Sequence, residues 1–279
     1  MQEPLKRPDH KQKWMPAWSL KKEVIPAGKN IFGMSEDQVK EKQSKFGPIP
    51  RHVLTNSLQA NSAELKAAIE DCPLDKLQSC FANSGSAPKT MSHRLIVMTV
   101  TKQYGQGNVT FASSAIQSQL VERYKHQHGR AVQDFLRASE GSRNKAIQSF
   151  RGDLFESIKN SAHETLQKGG DFTCRDLQTN EEFVVEFPCS TDNVKELPNH
   201  DAIKDLGADV YGQGKNNLGG IDAMLNAALF QMTVSQRHPI KARALWNVAE
   251  KAGGSKGLEL YFVVDSYGFT PDFTKQSIL

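Results

Sequence analysis

The stretch from Gly219 to Lys241, GGIDAMLNAALFQMTVSQRHPIK, contains two apolar runs on either side of Asn226 and Ala227. Runs of this length, separated by a two-residue turn, predict a β-hairpin. A turn centred on those two residues places Asp222 directly opposite Gln231. Opposed residues in an antiparallel pair have their Cβ atoms roughly 4.5–5.5 Å apart on one face of the sheet. The hairpin is therefore predicted to present a carboxylate beside a carboxamide.

Helix and strand patterns alternate on both sides of this hairpin. Upstream, a long helical pattern begins at about residue 142 and stops at Gly169 and Gly170. Three strand-like segments follow, DFTCRDL, EEFVVEF and ADVYG, the first two joined by the polar turn QTN. Downstream come a helical segment, HPIKARALWNVAEKAGG, and an apolar strand, LELYFVVD. This order predicts an α/β domain with a mixed central sheet flanked by helices.

The front of the chain has a different character. Prolines punctuate residues 1–50, and Ser19 and Ser35 are suited to cap short helices, the second of which ends at Gly47. The segment NSAELKAAIED predicts another helix, and ANSGSAPKT has the composition of a linker. We therefore expect a small, mostly helical segment over residues 1–88 and the α/β domain over residues 89–279. Within that domain, SHRLIVMTV and NVTFASS predict a hairpin, and 114–139 predicts one helix.

Composition limits the cellular setting more than the function. The chain has 279 residues, a formal net charge of +4 and four cysteines without CxxC spacing, which favours reduced thiols over disulfides. No apolar run approaches the roughly 18 residues of a membrane helix, so no membrane partner is expected. The N-terminus lacks the apolar core of a signal peptide. Either the protein is intracellular or this chain lacks its natural N-terminus.

Three polar side chains are candidates for a shared site. Asp222 and Gln231 together offer the oxygen ligands that Mg²⁺ or Mn²⁺ prefers. Glu156, in RGDLFES on the long helix, lies among apolar residues that could draw it against the sheet. Each has an ordinary alternative: a turn aspartate, a cross-strand glutamine and a solvated helix glutamate. Their convergence favours a metal site, but the spacing alone leaves both interpretations open.

Several short motifs resemble one protein family. RGDLFE, ETLQKGGDFTCRDL and the hairpin stretch resemble the nuclease-like C-terminal region of Crinkler proteins, large effectors of oomycetes and some fungi. These effectors are related to retrotransposon-hot-spot proteins of trypanosomes, and the region is similar to the PD-(D/E)xK restriction-endonuclease fold. The front, from WMPAWSLKKEV to SKFGPIPRHVL, resembles the segment closing the P-loop ATPase that precedes the nuclease, with Arg51 at that motif's arginine.

The resemblance implies a role for each candidate residue. Asp222 matches the metal-binding aspartate at the start of the second strand, Gln231 the (D/E) position, and Glu156 the helical glutamate of the family. A bound Mg²⁺ or Mn²⁺ would polarise the scissile phosphate and generate hydroxide from water. The implied protein is a metal-dependent DNA phosphodiesterase, an effector acting in the nucleus of a host cell.

One position departs from the family pattern. The catalytic lysine is expected two residues after Gln231, where this chain has Thr233. Lys241 is a candidate replacement and His238 a weaker one, but the interpretation in which both face solvent or phosphate is favoured over either replacement. Lys215, Arg237 and His238 are candidates for contacts with DNA.

Two other functions remain open. The nuclease fold could have lost catalysis and bind DNA or a host nuclear protein, an alternative that Thr233 favours. The chain could instead be a regulatory partner whose front segment contacts an ATPase domain. No GxxxxGK[ST] motif occurs in the sequence, so the chain itself is not expected to hydrolyse ATP.

Overall fold

A computed structural model describes residues 17–269, except 56, 83–93, 126–128, 216, 217, 219, 235–239, 255, 256 and 265–268. The chain divides into two compact units. The first contains Met1–Gln127 and Ala138–Leu154, and the second contains His128–Arg137 and Phe155–Leu279. The boundary expected between residues 88 and 89 lies outside the described residues.

The first unit is mostly helical. A π-helical turn, Leu20–Val24, leads into α1, and a β-hairpin follows the fifth helix. The elements in chain order are α1 (Ile25–Phe32), α2 (Glu36–Phe46), α3 (Pro50–Val53), α4 (Leu58–Glu70), α5 (Leu74–Ala82), β1 (Ile96–Val100), β2 (Gln106–Phe111) and α6 (Ser114–Lys125).

Local capping explains where the first helices begin and end. The Ser19 side chain accepts a hydrogen bond from the Lys22 N–H, and Ser35 forms a capping box with Gln38 at the start of α2. Gly47 ends α2 with a positive φ of 76°, where a Cβ atom would collide with the backbone of Ala112. These short-range signals confirm the predicted caps.

The helix predicted over residues 114–139 is wrong as a single element. The structure has two helices there, α6 and α7 (Arg130–Ala138). Backbone N–H groups of Val132 and Gln133 donate to the Gly129 carbonyl oxygen, so a new helix starts at this glycine. Glycine loses more backbone entropy than other residues in a helix, which makes Gly129 a favourable break. The apolar residues predicted for the single helix are buried in the two helices. Only the prediction that one helix runs through the whole segment was wrong.

The second unit contains a mixed sheet, as predicted for an α/β fold. Helix α8 (Lys145–Lys168) belongs to the second unit from Phe155 onward. Strands β3 (Gly170–Arg175) and β4 (Glu182–Phe187) form the predicted hairpin. A separate sheet has the order β5–β6–β7–β8–β9, in which the outer pairs are parallel and the inner pairs antiparallel. Its strands are β5 (Val194–Leu197), β6 (Tyr211–Gly214), β7 (Ala223–Leu225), β8 (Ala228–Met232) and β9 (Glu259–Val263). A 3₁₀ turn, His200–Asp205, precedes β6, and α9 (Ala242–Lys251) connects β8 to β9.

Each face of the five-stranded sheet carries its own apolar cluster. Along β7 and β8, alternate side chains point to opposite faces. One cluster includes Leu166 of α8, and the other includes Val248 of α9. The first also contains Phe187, Tyr211, Ala223, Leu225, Ala228, Phe230 and Met232; the second contains Leu197, Ile203, Leu218, Ile221, Met224 and Leu229. The sheet is thus packed on both faces, which explains the continuous apolar runs of the hairpin.

No helix within the described ranges has the length and apolar character needed to cross a membrane.

Candidate functional site

The β7–β8 hairpin has the predicted register. Ala223 pairs with Phe230 and Leu225 with Ala228, so the turn is centred on Asn226 and Ala227. Asn226 has a positive φ of 53°, a conformation that asparagine tolerates better than most residues. Its side chain accepts a hydrogen bond from the Asp209 N–H and donates one to the Asp209 carboxylate, each at 2.9 Å. These bonds hold the turn in place.

Asp222 lies at the bend just before β7 and is buried, with 7% of its surface exposed. Its N–H donates to the Phe230 carbonyl oxygen at 2.7 Å, and its carbonyl oxygen accepts from the Gly214 N–H at 2.8 Å. The backbone of Asp222 therefore connects the end of β6 with the middle of β8. This double attachment fixes the direction in which the side chain leaves the sheet.

The Asp222 carboxylate is held from two elements. Oδ2 accepts a hydrogen bond from the Met232 N–H at the end of β8, at 2.8 Å. Oδ1 lies 2.8 Å from the Nζ atom of Lys159 on α8, and the two side chains are only 9% and 11% exposed. A buried ion pair of this kind has to offset the desolvation of both charges.

Lys159 is not among the residues predicted for the site. It lies in the polar segment IKNSAHE, where a lysine is usually solvated. The signal that was available is helical spacing: Lys159, His163 and Leu166 follow one another at intervals of four and three residues, on one face of the helix. His163 and Leu166 are both buried, so the packed face of α8 is the one on which Lys159 lies.

One helical turn beyond Lys159, a buried histidine contacts β6. His163 Nδ1 lies 2.8 Å from the hydroxyl of Tyr211. The pKa of His163 is lowered to about 4, mainly by burial and also by the Lys159 charge, while the Asp222 charge acts in the opposite direction. Burial and the Asp222 charge raise the pKa of Tyr211. At neutral pH both partners are uncharged, and the pair anchors α8 to the sheet next to the Lys159–Asp222 ion pair.

Gln231 and Glu156, the other two predicted metal ligands, differ in exposure. Gln231 is partly buried on β8, paired with Phe262 of β9, and alternation places it on the face of Leu229. Glu156 is exposed on α8, three residues before Lys159. In the described part of the chain, no group of three or more His, Cys, Asp or Glu side chains could hold a metal ion. The predicted trio of metal ligands stays a prediction.

The positively charged candidates are also dispersed. Lys241 is exposed at the N-cap of α9. Lys215 is exposed and forms an ion pair with Glu196 at 2.8 Å. Thr233 is buried just past β8, where its N–H donates to the Val263 carbonyl oxygen. Arg237 and His238 lie outside the described residues.

A hard divalent cation at Asp222 would require further oxygen ligands, because one carboxylate does not complete its coordination. Each carboxylate oxygen can accept more than one partner, so the contacts with Met232 and Lys159 do not use the full acceptor capacity of Asp222. The Lys159 charge repels a cation, and additional negative charge is needed to balance it. Glu156 or a substrate phosphate would supply that charge. By alternation Gln231 lies on the Leu229 face of the sheet, the face of the cluster that contains Val248 of α9, and not on the face of Leu166 of α8.

In comparisons with known proteins, no family model, no curated protein and no solved structure matches this chain.

Proposed function

We propose that this chain is a metal-dependent DNA phosphodiesterase of the PD-(D/E)xK type and that Asp222 is its central metal ligand. The observation that carries the proposal is the buried Asp222 carboxylate at the start of β7. Because β6, β7 and β8 are successive antiparallel strands, β7 is the second strand of the series. The resemblance places the metal-binding aspartate of the family at this point.

Each residue has a defined task in the proposed reaction. Asp222, with Gln231 and Glu156, would hold Mg²⁺ or Mn²⁺, which when bound polarises the scissile phosphate and acidifies a water molecule. The Met232 N–H orients the Asp222 carboxylate, so that little reorganisation is needed when substrate arrives. Lys215, Arg237, His238 and Lys241 are proposed to contact phosphates of the DNA backbone, the group that basic side chains bind irrespective of sequence.

The biological setting follows from the resemblance alone. We propose an effector of the Crinkler type that acts on DNA in the nucleus of a host cell. Residues 1–88, with Arg51, would contact a preceding ATPase domain. This contact is a separate proposal from the reaction at Asp222.

A second candidate function is a module that binds DNA or a host nuclear protein without cutting DNA. Thr233 favours it, because a buried hydroxyl stands where the family pattern has a catalytic lysine. A threonine cannot supply the positive charge that offsets charge developing on the phosphate.

Nicking of supercoiled plasmid tests the proposal. The purified chain is incubated with plasmid in Mg²⁺, Mn²⁺ or excess chelator. Asp222→Asn is compared with Asp171→Asn, a matched change at an exposed aspartate of β3. We expect cutting that needs the cation, is lost in Asp222→Asn and persists in Asp171→Asn. Absence of cutting with either cation, together with DNA binding that survives chelator, would support the second candidate instead.

A further inference from the structure

We infer that Lys159, from helix α8, supplies the positive charge that the family pattern places at position 233. The inference rests on the proposed function and assigns a catalytic residue to it. It replaces Lys241 and His238 as the candidate for this role.

The ion pair gives the first argument. The Lys159 ammonium lies 2.8 Å from Asp222 Oδ1, and both side chains are about nine-tenths buried. Buried ion pairs often stabilise a fold no better than apolar side chains of similar size would. Stability is therefore a weak reason for a lysine at this position. A charge required beside the metal-binding carboxylate is a stronger one.

The position of Thr233 gives the second argument. Thr233 directly follows Met232, whose N–H binds Oδ2 of the same carboxylate that Lys159 binds through Oδ1. The end of β8 and helix α8 thus meet at Asp222. Lys159, reaching inward from α8, brings its ammonium to the carboxylate that the backbone at the end of β8 also binds.

The surroundings hold Lys159 in this position. His163, one turn later on α8, bonds the Tyr211 hydroxyl and ties the helix to β6. A long lysine side chain is flexible when exposed, but at 11% exposure and with a fixed helix behind it the ammonium has few other positions. Such preorganisation is what electrostatic catalysis requires.

The proposed reaction is the hydrolysis of a phosphodiester bond of DNA. The water oxygen forms a bond to phosphorus, and the bond from phosphorus to the departing deoxyribose oxygen breaks. One water proton ends on the departing oxygen, and the other remains on the new phosphate group or passes to bulk water. The Lys159 ammonium keeps its protons throughout and offsets the negative charge that builds on the phosphate oxygens.

Four variants separate this role from a structural one. Lys159→Met removes the charge, and Lys159→Gln removes the charge but keeps a hydrogen-bond donor near Asp222. The double variant Lys159→Met with Thr233→Lys moves the charge to the family position. Lys168→Met, an exposed lysine in the last turn of the same helix, is the matched control. Plasmid nicking is measured for each full-length variant, together with binding of Mn²⁺ alone.

We expect both uncharged variants to cut at least 100-fold more slowly than wild type. Their affinity for Mn²⁺ should be equal or higher, since a repelling charge has gone. The double variant should recover at least tenfold of the lost rate, and Lys168→Met should cut normally. A residue needed only for folding would not lower cutting while leaving Mn²⁺ binding intact.

The outcomes distinguish the two proposals. Wild-type rates in a folded Lys159→Met or Lys159→Gln would overturn the role of Lys159 and leave the phosphodiesterase proposal standing. If Lys159→Met does not fold, Lys159→Gln decides by the same criterion. A wild-type protein that cuts under neither Mg²⁺ nor Mn²⁺ overturns both.

Discussion

Lys159 and Asp222 form the pair on which the site depends at the scale of single residues. Each charge is buried, and each is the neutralising partner of the other. The contact between these two charges is observed. The roles of Gln231 and Glu156 as metal ligands remain predictions. The proposed chemistry and the stability of the second unit thus depend on the same carboxylate.

Replacing Asp222 by alanine is predicted to be strongly destabilising. It leaves the Lys159 ammonium buried without its partner, which typically costs about 3–5 kcal/mol. Glu196→Ala, which breaks the exposed pair with Lys215, should cost less than about 1 kcal/mol. Urea unfolding followed by circular dichroism measures both. Equal losses of stability would show that Lys159 escapes to solvent when Asp222 is removed.

His163 makes the stability of the second unit dependent on pH. Its pKa is lowered from 6.5 to about 4 in the fold, so the unfolded chain binds more protons between these values. Stability is fully present above pH 6.5 and falls as pH drops toward 4, by on the order of 3 kcal/mol from this group. The charged groups facing His163 are Lys159 and Asp222, and Tyr211 is its hydrogen-bond partner.

Unfolding free energies of wild type and His163→Asn between pH 4 and 7 test this dependence. The variant starts from a lower stability because it loses the contact with Tyr211. Its curve should be flatter over this range, since asparagine does not titrate. Parallel curves for the two proteins would contradict the assignment.

At the scale of elements, glycines decide where α8 can continue. Gly169 has a φ of 67° just beyond the end of the helix, and a Cβ atom there would lie 2.6 Å from the Cys189 nitrogen and the Phe187 oxygen. Gly152, inside the same helix, has nothing within 4 Å of that position. Both are glycines of one helical segment, but only Gly169 is required by the fold.

Alanine substitutions at these glycines are predicted to have opposite signs. Gly169→Ala should lower the melting temperature, because it forces both a left-handed backbone and a collision. Gly152→Ala should stabilise the helix by about 0.5–1 kcal/mol, since alanine has the higher helix propensity. Thermal unfolding of the two variants alongside wild type is the measurement. A tolerated alanine at Gly169 would mean that the β3–β4 hairpin can shift.

The elements themselves were largely predictable. Caps at Ser19 and Ser35, the turn at Asn226 and the alternating strands depend on neighbours in the chain, and these predictions are confirmed. The break between α6 and α7 was missed because the apolar spacing continues across it. Strand β5 was missed because three of its four residues are exposed and only Leu197 is buried.

At the scale of the whole molecule, binding of a metal ion should be visible as added stability. A ligand that binds only the folded state stabilises it by about 2.7 kcal/mol at 100 times its dissociation constant. We therefore predict that Mn²⁺ raises the unfolding temperature of the wild-type chain but not of Asp222→Asn. Differential scanning calorimetry with Ca²⁺-free buffer and a chelator control measures the shift. An equal shift in both proteins would place the ion elsewhere.

The local structure and the α/β class follow from the sequence alone, since both depend on residues that are close along the chain. The sequence could not determine that Lys159 faces Asp222. That contact joins a helix to a strand far along the chain, and nothing in a polar helical segment marks which lysine is buried. Only tertiary packing decides it: His163 and Leu166 turn their face of α8 toward the sheet, and Lys159 lies on that face. Lys159 of α8 is thereby the candidate for the role of the lysine that the family pattern has at position 233.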